Sequence, residues 1–206
     1  MYKRQLLDGA LDDKVHARDF LATALDQVER LQRLIDDLLA LSRLEKSGAA
    51  PAAACDAAEV GRRVLAALTP VAAKHNVTIH PTTTTAALPA AISADELTQV
   101  LMNLFDNAIK FNRPGGTVAF ALEAKENRVF LRIRDTGVGI APEDQPRVFE
   151  RFYRADKARS KETGGTGLGL AIVKHIVENR GGALRLESRL GEGSLFEVAL
   201  PSPAGE

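Results

Sequence analysis

Between residues 15 and 46 apolar side chains recur every three or four positions, at Leu21, Leu25, Val28, Leu31, Ile35 and Leu38. That spacing puts them on one face of a helix. Leu34, Leu39, Leu41 and Leu44 widen the stripe beyond a single seam, so the helix needs more than one neighbour, as in a four-helix bundle. Tyr2 to Ala10 reads as the tail of an earlier helix, with Asp8-Gly9 and Asp12-Asp13 marking the turn. Ser47-Gly48-Ala-Ala-Pro51 is rich in breakers and has no period, as expected of a linker. The chain is therefore expected to divide into a helical piece over 1–46, a linker over 47–55 and a second unit over 56–206.

From Asp56 onward, helical and strand-like patterns alternate. Asp56 with Glu59 has capping-box spacing and opens a helix through Val60, Val64, Leu68 and Val71. Val77-Thr-Ile-His80 reads as a short strand, and the threonines at 82–85 are too β-branched for helix. Ser93 and Glu96 form a second capping box, opening a helix to about Asn112 that Arg113-Pro-Gly-Gly116 ends. Strands are expected at 117–124 and 129–135 around the Glu126-Asn127 turn. A long polar loop should span 137–164, then a helix 168–179, broken by Gly181-Gly182. Leu184–Glu187 and Leu195–Leu200 read as two last strands. The sum is an α+β sandwich, helices on one face of a mixed sheet.

Composition changes this picture little. The 27 basic and 27 acidic residues cancel, which argues against a general nucleic-acid or acidic-membrane binder. One cysteine, Cys55, excludes an internal disulfide and a thiolate metal site, and fits a reducing compartment. No apolar run is long enough to span a bilayer, so a cytoplasmic chain is expected, joined to a membrane only through upstream segments.

Candidate chemistry lies in three places. In Val129-Phe-Leu-Arg-Ile-Arg-Asp135 every second residue is apolar, which puts the Asp135 carboxylate on the buried side. A buried carboxylate is costly without a donor. Thr136-Gly137-Val138-Gly139 follows, where glycine lets backbone turn tightly beside a ligand. Asn103, Asn107 and Lys110 share one face of their helix, opposite Leu97, Val100, Leu101, Leu104 and Ala108. Two amides and an ammonium offer a carbonyl oxygen to a hard cation and positive charge to phosphates. Lastly, Gly164-Gly-Thr-Gly-Leu-Gly-Leu170 runs straight into a helix, whose free N–H groups favour an anion. In the loop between, Phe149, Phe152 and Tyr153 can anchor a mobile segment while Arg154 reaches a terminal phosphate. Lys157, Arg159 and Lys161 read as a solvated run.

Asn103-Leu-Phe-Asp-Asn107-Ala-Ile-Lys110-Phe111, Asp135-Thr-Gly-Val-Gly139, Phe149-Glu-Arg-Phe152 and Gly165-Thr-Gly-Leu-Gly169 occur in that order. Together they resemble the catalytic, ATP-binding domain of sensor histidine kinases of two-component systems, in the superfamily shared with DNA gyrase and heat-shock chaperones. The resemblance covers about 56–201 and implies a Bergerat-type sandwich. Residues 20–46 resemble the second helix of the family's dimerisation and phosphoacceptor hairpin, here expected to be truncated.

The resemblance implies ATP and Mg2+ as ligands. Asp135 would accept from the adenine amino group, and Asn107 would bind magnesium with Asn103 beside it. Lys110 and Arg154 would contact phosphates, and Phe111 would pack beside the nucleotide. Gly137 and Gly139 would shape the adenine pocket, and Gly165, Gly167, Leu168 and Gly169 the phosphate cradle. It also implies a homodimer through the N-terminal helices and a response regulator receiver domain as partner. None of His16, His75, His80 and His175 has the family's acceptor context, so the acceptor histidine is expected to be missing from this chain. Gyrase-like relatives activate water with a glutamate where this chain has Asn103, which has no basic group at neutral pH. Two rival readings are a serine kinase or ATPase of the same superfamily, and a non-catalytic interaction module with a vestigial pocket.

Overall fold

The computed structural model describes residues 18, 21–25, 27–28, 31–32, 34–35, 37–39, 42, 54–82, 86–155 and 165–203. Helices α1 (Ala57–Lys74), α2 (Ala94–Lys110) and α3 (Gly169–Asn179) pack on one face of a five-stranded sheet. The strands β2 (Thr78–Thr82), β4 (Thr117–Lys125), β5 (Arg128–Asp135), β6 (Ala183–Arg189) and β7 (Gly193–Pro201) run in the order β2-β4-β5-β7-β6. β2 lies parallel to β4 and the other pairs are antiparallel, so the sheet is mixed, as expected. A small antiparallel pair, β1 (Cys55–Asp56) with β3 (Pro89–Ala90), sits at the start of α1.

Alternation in the strands sorts the two sheet faces. Val118, Phe120 and Leu122 of β4, Val129, Leu131 and Ile133 of β5, and Phe196, Val198 and Leu200 of β7 are buried under the helices. Phe105 of α2 meets Phe120 edge to face at 5.2 Å. The far face is charged: Arg132 pairs with Glu123 at 2.6 Å and with Glu197 across the β5–β7 register.

α2 is the helix against which both others pack. The Ser93 hydroxyl accepts the Glu96 N–H while the Glu96 carboxylate accepts the Ser93 N–H, so the expected capping box forms. The Glu96 carboxylate also receives Arg180, at the end of α3, at 2.7 Å, with both side chains 17% exposed. One carboxylate thus starts α2 and clamps α3 to it. Leu97, Val100, Leu101, Leu104 and Phe105 are essentially sealed from solvent, each worth about 1.5–3 kcal/mol by burial. That apolar face settles which side of α2 meets solvent.

Several expectations shift. Asp56 caps α1, but besides the Ala58 N–H at 3.0 Å its carboxylate accepts the Leu88 N–H at 2.9 Å, which binds β3's approach to the helix start. β2 runs to Thr82 rather than His80, pairing through Pro81; on an edge strand a missing N–H costs the sheet nothing. The β1–β3 pair escaped the sequence pattern because two-residue strands have no period. The stretch from 142 to 152 is a succession of turns rather than open loop.

Described residues between 21 and 42 are helical. Leu34 packs against the core, while Leu21, Leu25, Val28, Leu31, Ile35, Leu38 and Leu39 are 48–62% exposed. The expected turn at 8–13, Leu41, Leu44, the 47–51 linker, His16, the threonines at 83–85, and Lys157, Arg159 and Lys161 lie outside the described residues.

Candidate functional site

Asp135 continues the inward row of β5 past the last packed apolar residue, Ile133, and is 8% exposed. There the core gives way to a cavity of about 410 Å3. One carboxylate oxygen, Oδ1, accepts the Gly137 N–H at 2.8 Å and the Ser194 N–H at 3.3 Å. Burial pushes the carboxyl above its ordinary value, and these two backbone donors only partly offset it. Ser194 reaches Asp135 because the β5–β7 register, with Arg134 opposite Leu195, brings the start of β7 beside the end of β5.

α2 forms the next wall. Asn103, Asn107, Lys110 and Phe111 all line the cavity, as their shared helical face requires. The Lys110 ammonium is not open to the cavity alone: it pairs with Asp106, one turn back, at 2.6 Å. Asp106 itself lines the cavity. The Asn103 amide lies against the first residue of α3, where a Cβ on Gly169 would come within 2.8 Å of its Oδ1. Glycine at 169 therefore leaves the space this amide needs.

The glycine segment before α3 forms another wall, with Gly165, Thr166, Gly167 and Gly169 in the lining. Leu168 differs. Its side chain is fully buried in the core, because an apolar side chain at the helix start turns inward, so it offers a ligand nothing but backbone. Gly137 also stands behind the wall, where its amide holds Asp135 and its carbonyl accepts from Arg113 at 3.1 Å. Gly139 is in the wall itself.

The turns at 142–155 close the remaining side. Phe149 packs edge to face on Phe196, and the Tyr153 hydroxyl donates to Asp144 at 2.6 Å beneath the Arg147 guanidinium. These two aromatics anchor the segment. Phe152 does not: it is 59% exposed, and it is its N–H that is tied, to the Gly167 carbonyl at 2.9 Å. Arg154 is half-buried in the lining.

Sequence reasoning missed Asp37, Asp106, Thr166, Leu190 and Ser194, all in the lining. Asp106 carried a readable signal, one turn before Lys110. Thr166 lay within the glycine motif itself, and Asp37, Leu190 and Ser194 depend on tertiary packing. Asp37, on the N-terminal helix, accepts the Thr166 hydroxyl at 2.7 Å. His75 and His80 are exposed, and His175 contacts Asn179 at 3.1 Å; no described histidine lines the cavity.

Residues 92–204 match the family of histidine kinase-, DNA gyrase B- and HSP90-like ATPases. Sensor protein SrrB of Staphylococcus aureus (strain MRSA252) is 35% identical over 98% of this chain, and the chain spans about a third of that protein's length (35%). The mycobacterial sensor histidine kinase MprB superposes with a TM-score of 0.63 at 31% identity, over 73% of this chain and 97% of that structure. Full-length ShkA in complex with AMPPNP superposes at 0.74 with 28% identity, over 91% of this chain and 40% of that one. The end of the inward row, the two-amide helix face and the glycine turn before α3 all fall in the matched region, and the chain belongs to this ATPase family, among the catalytic domains of sensor histidine kinases.

Proposed function

We propose that the cavity binds ATP with its adenine at Asp135 and its phosphates toward α3, and that the domain transfers the γ-phosphate to a histidine for relay to a response regulator aspartate. The observation that carries this reading is the state of Asp135. One oxygen is held by two backbone donors, and the carboxylate as a whole faces the cavity, as an acceptor for an exocyclic amino group requires. Lys110 and Arg154 would neutralise the phosphates, and Phe111 would pack beside the nucleotide. The glycine turn would receive phosphate oxygens at the helix N-terminus.

The amide oxygen of Asn107 fits a magnesium ion, with Asn103 beside it in the lining. Magnesium bound with nucleotide takes most of its ligands from phosphate oxygens and water, so one or two protein oxygens suffice. When bound, magnesium supplies charge neutralisation at the phosphates. The space that Gly169 leaves for the Asn103 amide supports this assignment.

In the transfer, an imidazole nitrogen forms a bond to the γ-phosphorus as the bond to the β,γ-bridging oxygen breaks. ADP leaves with that electron pair, and the ring's other nitrogen releases its proton. This chain's residues would position and neutralise, and Asn103, standing where gyrase-like relatives carry a glutamate, has no basic group to take a proton from water. The imidazole is supplied by an element other than the described histidines. The exposed apolar stripe from Leu21 to Leu39 supports a homodimer through the N-terminal helices. No helix among the described residues is long and apolar enough to cross a membrane; the proposed setting is the cytoplasmic part of a membrane-bound sensor.

The test is a labelled-phosphate assay. Incubated with Mg-ATP, this chain alone should incorporate little label, and adding a kinase hairpin that carries a histidine should give acid-labile label on the hairpin. Acid-stable label, or ATP hydrolysis with no transfer, would instead favour the serine kinase or ATPase reading.

A further inference from the structure

We infer that the turn between β6 and β7 is a wall of the base pocket, with Leu190 covering the nucleobase and Ser188 and Gln145 positioning it. This rests on the reading of the cavity as an adenine nucleotide site. Leu190 lines the cavity and yet is 68% exposed, so most of a large apolar side chain at the cavity mouth is uncovered. Single exposed leucines on a surface are ordinary. What sets this one apart is how firmly its turn is fixed.

The Gly191 N–H donates to the Val138 carbonyl at 2.7 Å, and the Ile140 N–H donates to the Ser188 hydroxyl at 2.8 Å. That hydroxyl passes its own proton back into the hairpin, to the Gly193 carbonyl at 3.0 Å. The Gln145 side-chain amide donates to the Ile140 and Ser188 carbonyls, both at 3.0 Å. Gly139 takes φ +70° with the Arg189 carbonyl so close that any Cβ would collide with it. Hairpin and glycine loop therefore touch backbone to backbone, with no room for the turn to swing.

The same hairpin delivers two things four residues apart. Ser194 gives its N–H to Asp135, and Leu190 reaches the mouth beside Val138 and Ile140. A ligand whose polar edge meets Asp135 presents a flat apolar face to this side of the cavity. The groups suited to phosphate, Lys110 and the glycines before α3, stand on other elements. The occupant that fits Leu190 is the base and not the phosphate chain. Ser188 and Gln145 act through the turn they hold, as positioning residues.

Calorimetric titration of the full chain with ADP, and separately with inorganic tripolyphosphate, tests this. Leu190→Ala should weaken ADP about fivefold, leave tripolyphosphate unchanged, and leave the unfolding temperature without ligand unmoved, because the residue is mostly exposed. Leu190→Met should restore ADP binding, since it replaces apolar area. Ser188→Ala should weaken ADP in the same selective way, and Ser188→Thr, which keeps the hydroxyl, should weaken it less. ADP affinity within twofold of the parent for Leu190→Ala, or equal loss for ADP and tripolyphosphate, overturns the inference. A parent chain that binds no ADP overturns the nucleotide reading itself, a result distinct from either.

Discussion

At the Asp135 end of the cavity the polar contacts are made by backbone: the Gly137 amide, just past β5, and the Ser194 amide of β7 hold one carboxylate oxygen. Along α2 and the glycine turn before α3 they are made by side chains already paired with one another, Lys110 with Asp106 at 2.6 Å and Thr166 with Asp37 at 2.7 Å. Backbone donors cannot rotate away, so the first end is pre-organised for its ligand. On the proposed reading the second region must exchange partners, because phosphates would compete with Asp106 for the ammonium and with Asp37 beside the glycine turn. Selectivity for the base is therefore expected to be a property of the folded scaffold. Phosphate affinity is expected to depend on charge and on where the N-terminal helix lies.

Asp135→Ala should weaken ligand binding more than any other single substitution in the cavity. Hydrogen bonds to a charged group contribute about 1.5–3 kcal/mol, so ATP and adenosine should both weaken by about 10- to 100-fold in titration. The ligand-free unfolding temperature should not fall, because the substitution also removes a desolvated carboxylate. A loss confined to ATP would reverse the assignment of the two ends.

Lys110→Ala should act the other way, weakening ATP about tenfold while sparing adenosine. Asp106→Ala should strengthen ATP about twofold, since a partly exposed i,i+4 pair on a helix is worth only a few tenths of a kcal/mol. Both effects should shrink at high salt. A Lys110→Ala variant with unchanged ATP affinity would leave the ammonium as no more than Asp106's partner.

Acid should separate the ends by the smallest but most diagnostic effect. Burial raises the Asp135 carboxyl above its ordinary value, so as pH falls its acceptor charge, and with it base affinity, should be lost before an ordinary carboxylate protonates. The desolvation cost that Asp135 places on the fold disappears over the same range. The cap at Asp56 behaves oppositely: the Leu88 N–H holds its carboxyl below 3.8, so the stability it contributes is complete above 3.8 and lost only as pH falls through the lowered value. Adenosine affinity should therefore fall at a pH where circular dichroism still reports an intact fold. Simultaneous loss of both would mean that Asp135 does not set the acid limit of binding.

Much of this was legible from residues. The period of α2 put Asn103, Asn107 and Lys110 on one face, because a helical face is fixed by spacing alone. Alternation in β5 put Asp135 on the inner side for the same reason. The capping box at Ser93 and Glu96 was a local pattern and formed as read. The same carboxylate's clamp on Arg180 was not readable, since it joins residues 84 positions apart. Burial alone would raise Glu96, but the bonds from Arg180 and Ser93 outweigh it and keep the carboxyl below its ordinary range.

What the sequence determined by itself was every property with a short period or fixed local geometry: the helices, the strand faces, the cap, and the glycines that allow close approach. What the tertiary structure decided was which of these would meet. Ser194 stands at Asp135 only through the β5–β7 register, Leu190 at the mouth only through the hairpin's contact with residues 138–145, and Asp37 at Thr166 only through the seat of a distant helix. Chain spacing constrains directions along one element. Proximity between elements is set by how their apolar faces pack, and no local pattern encodes that.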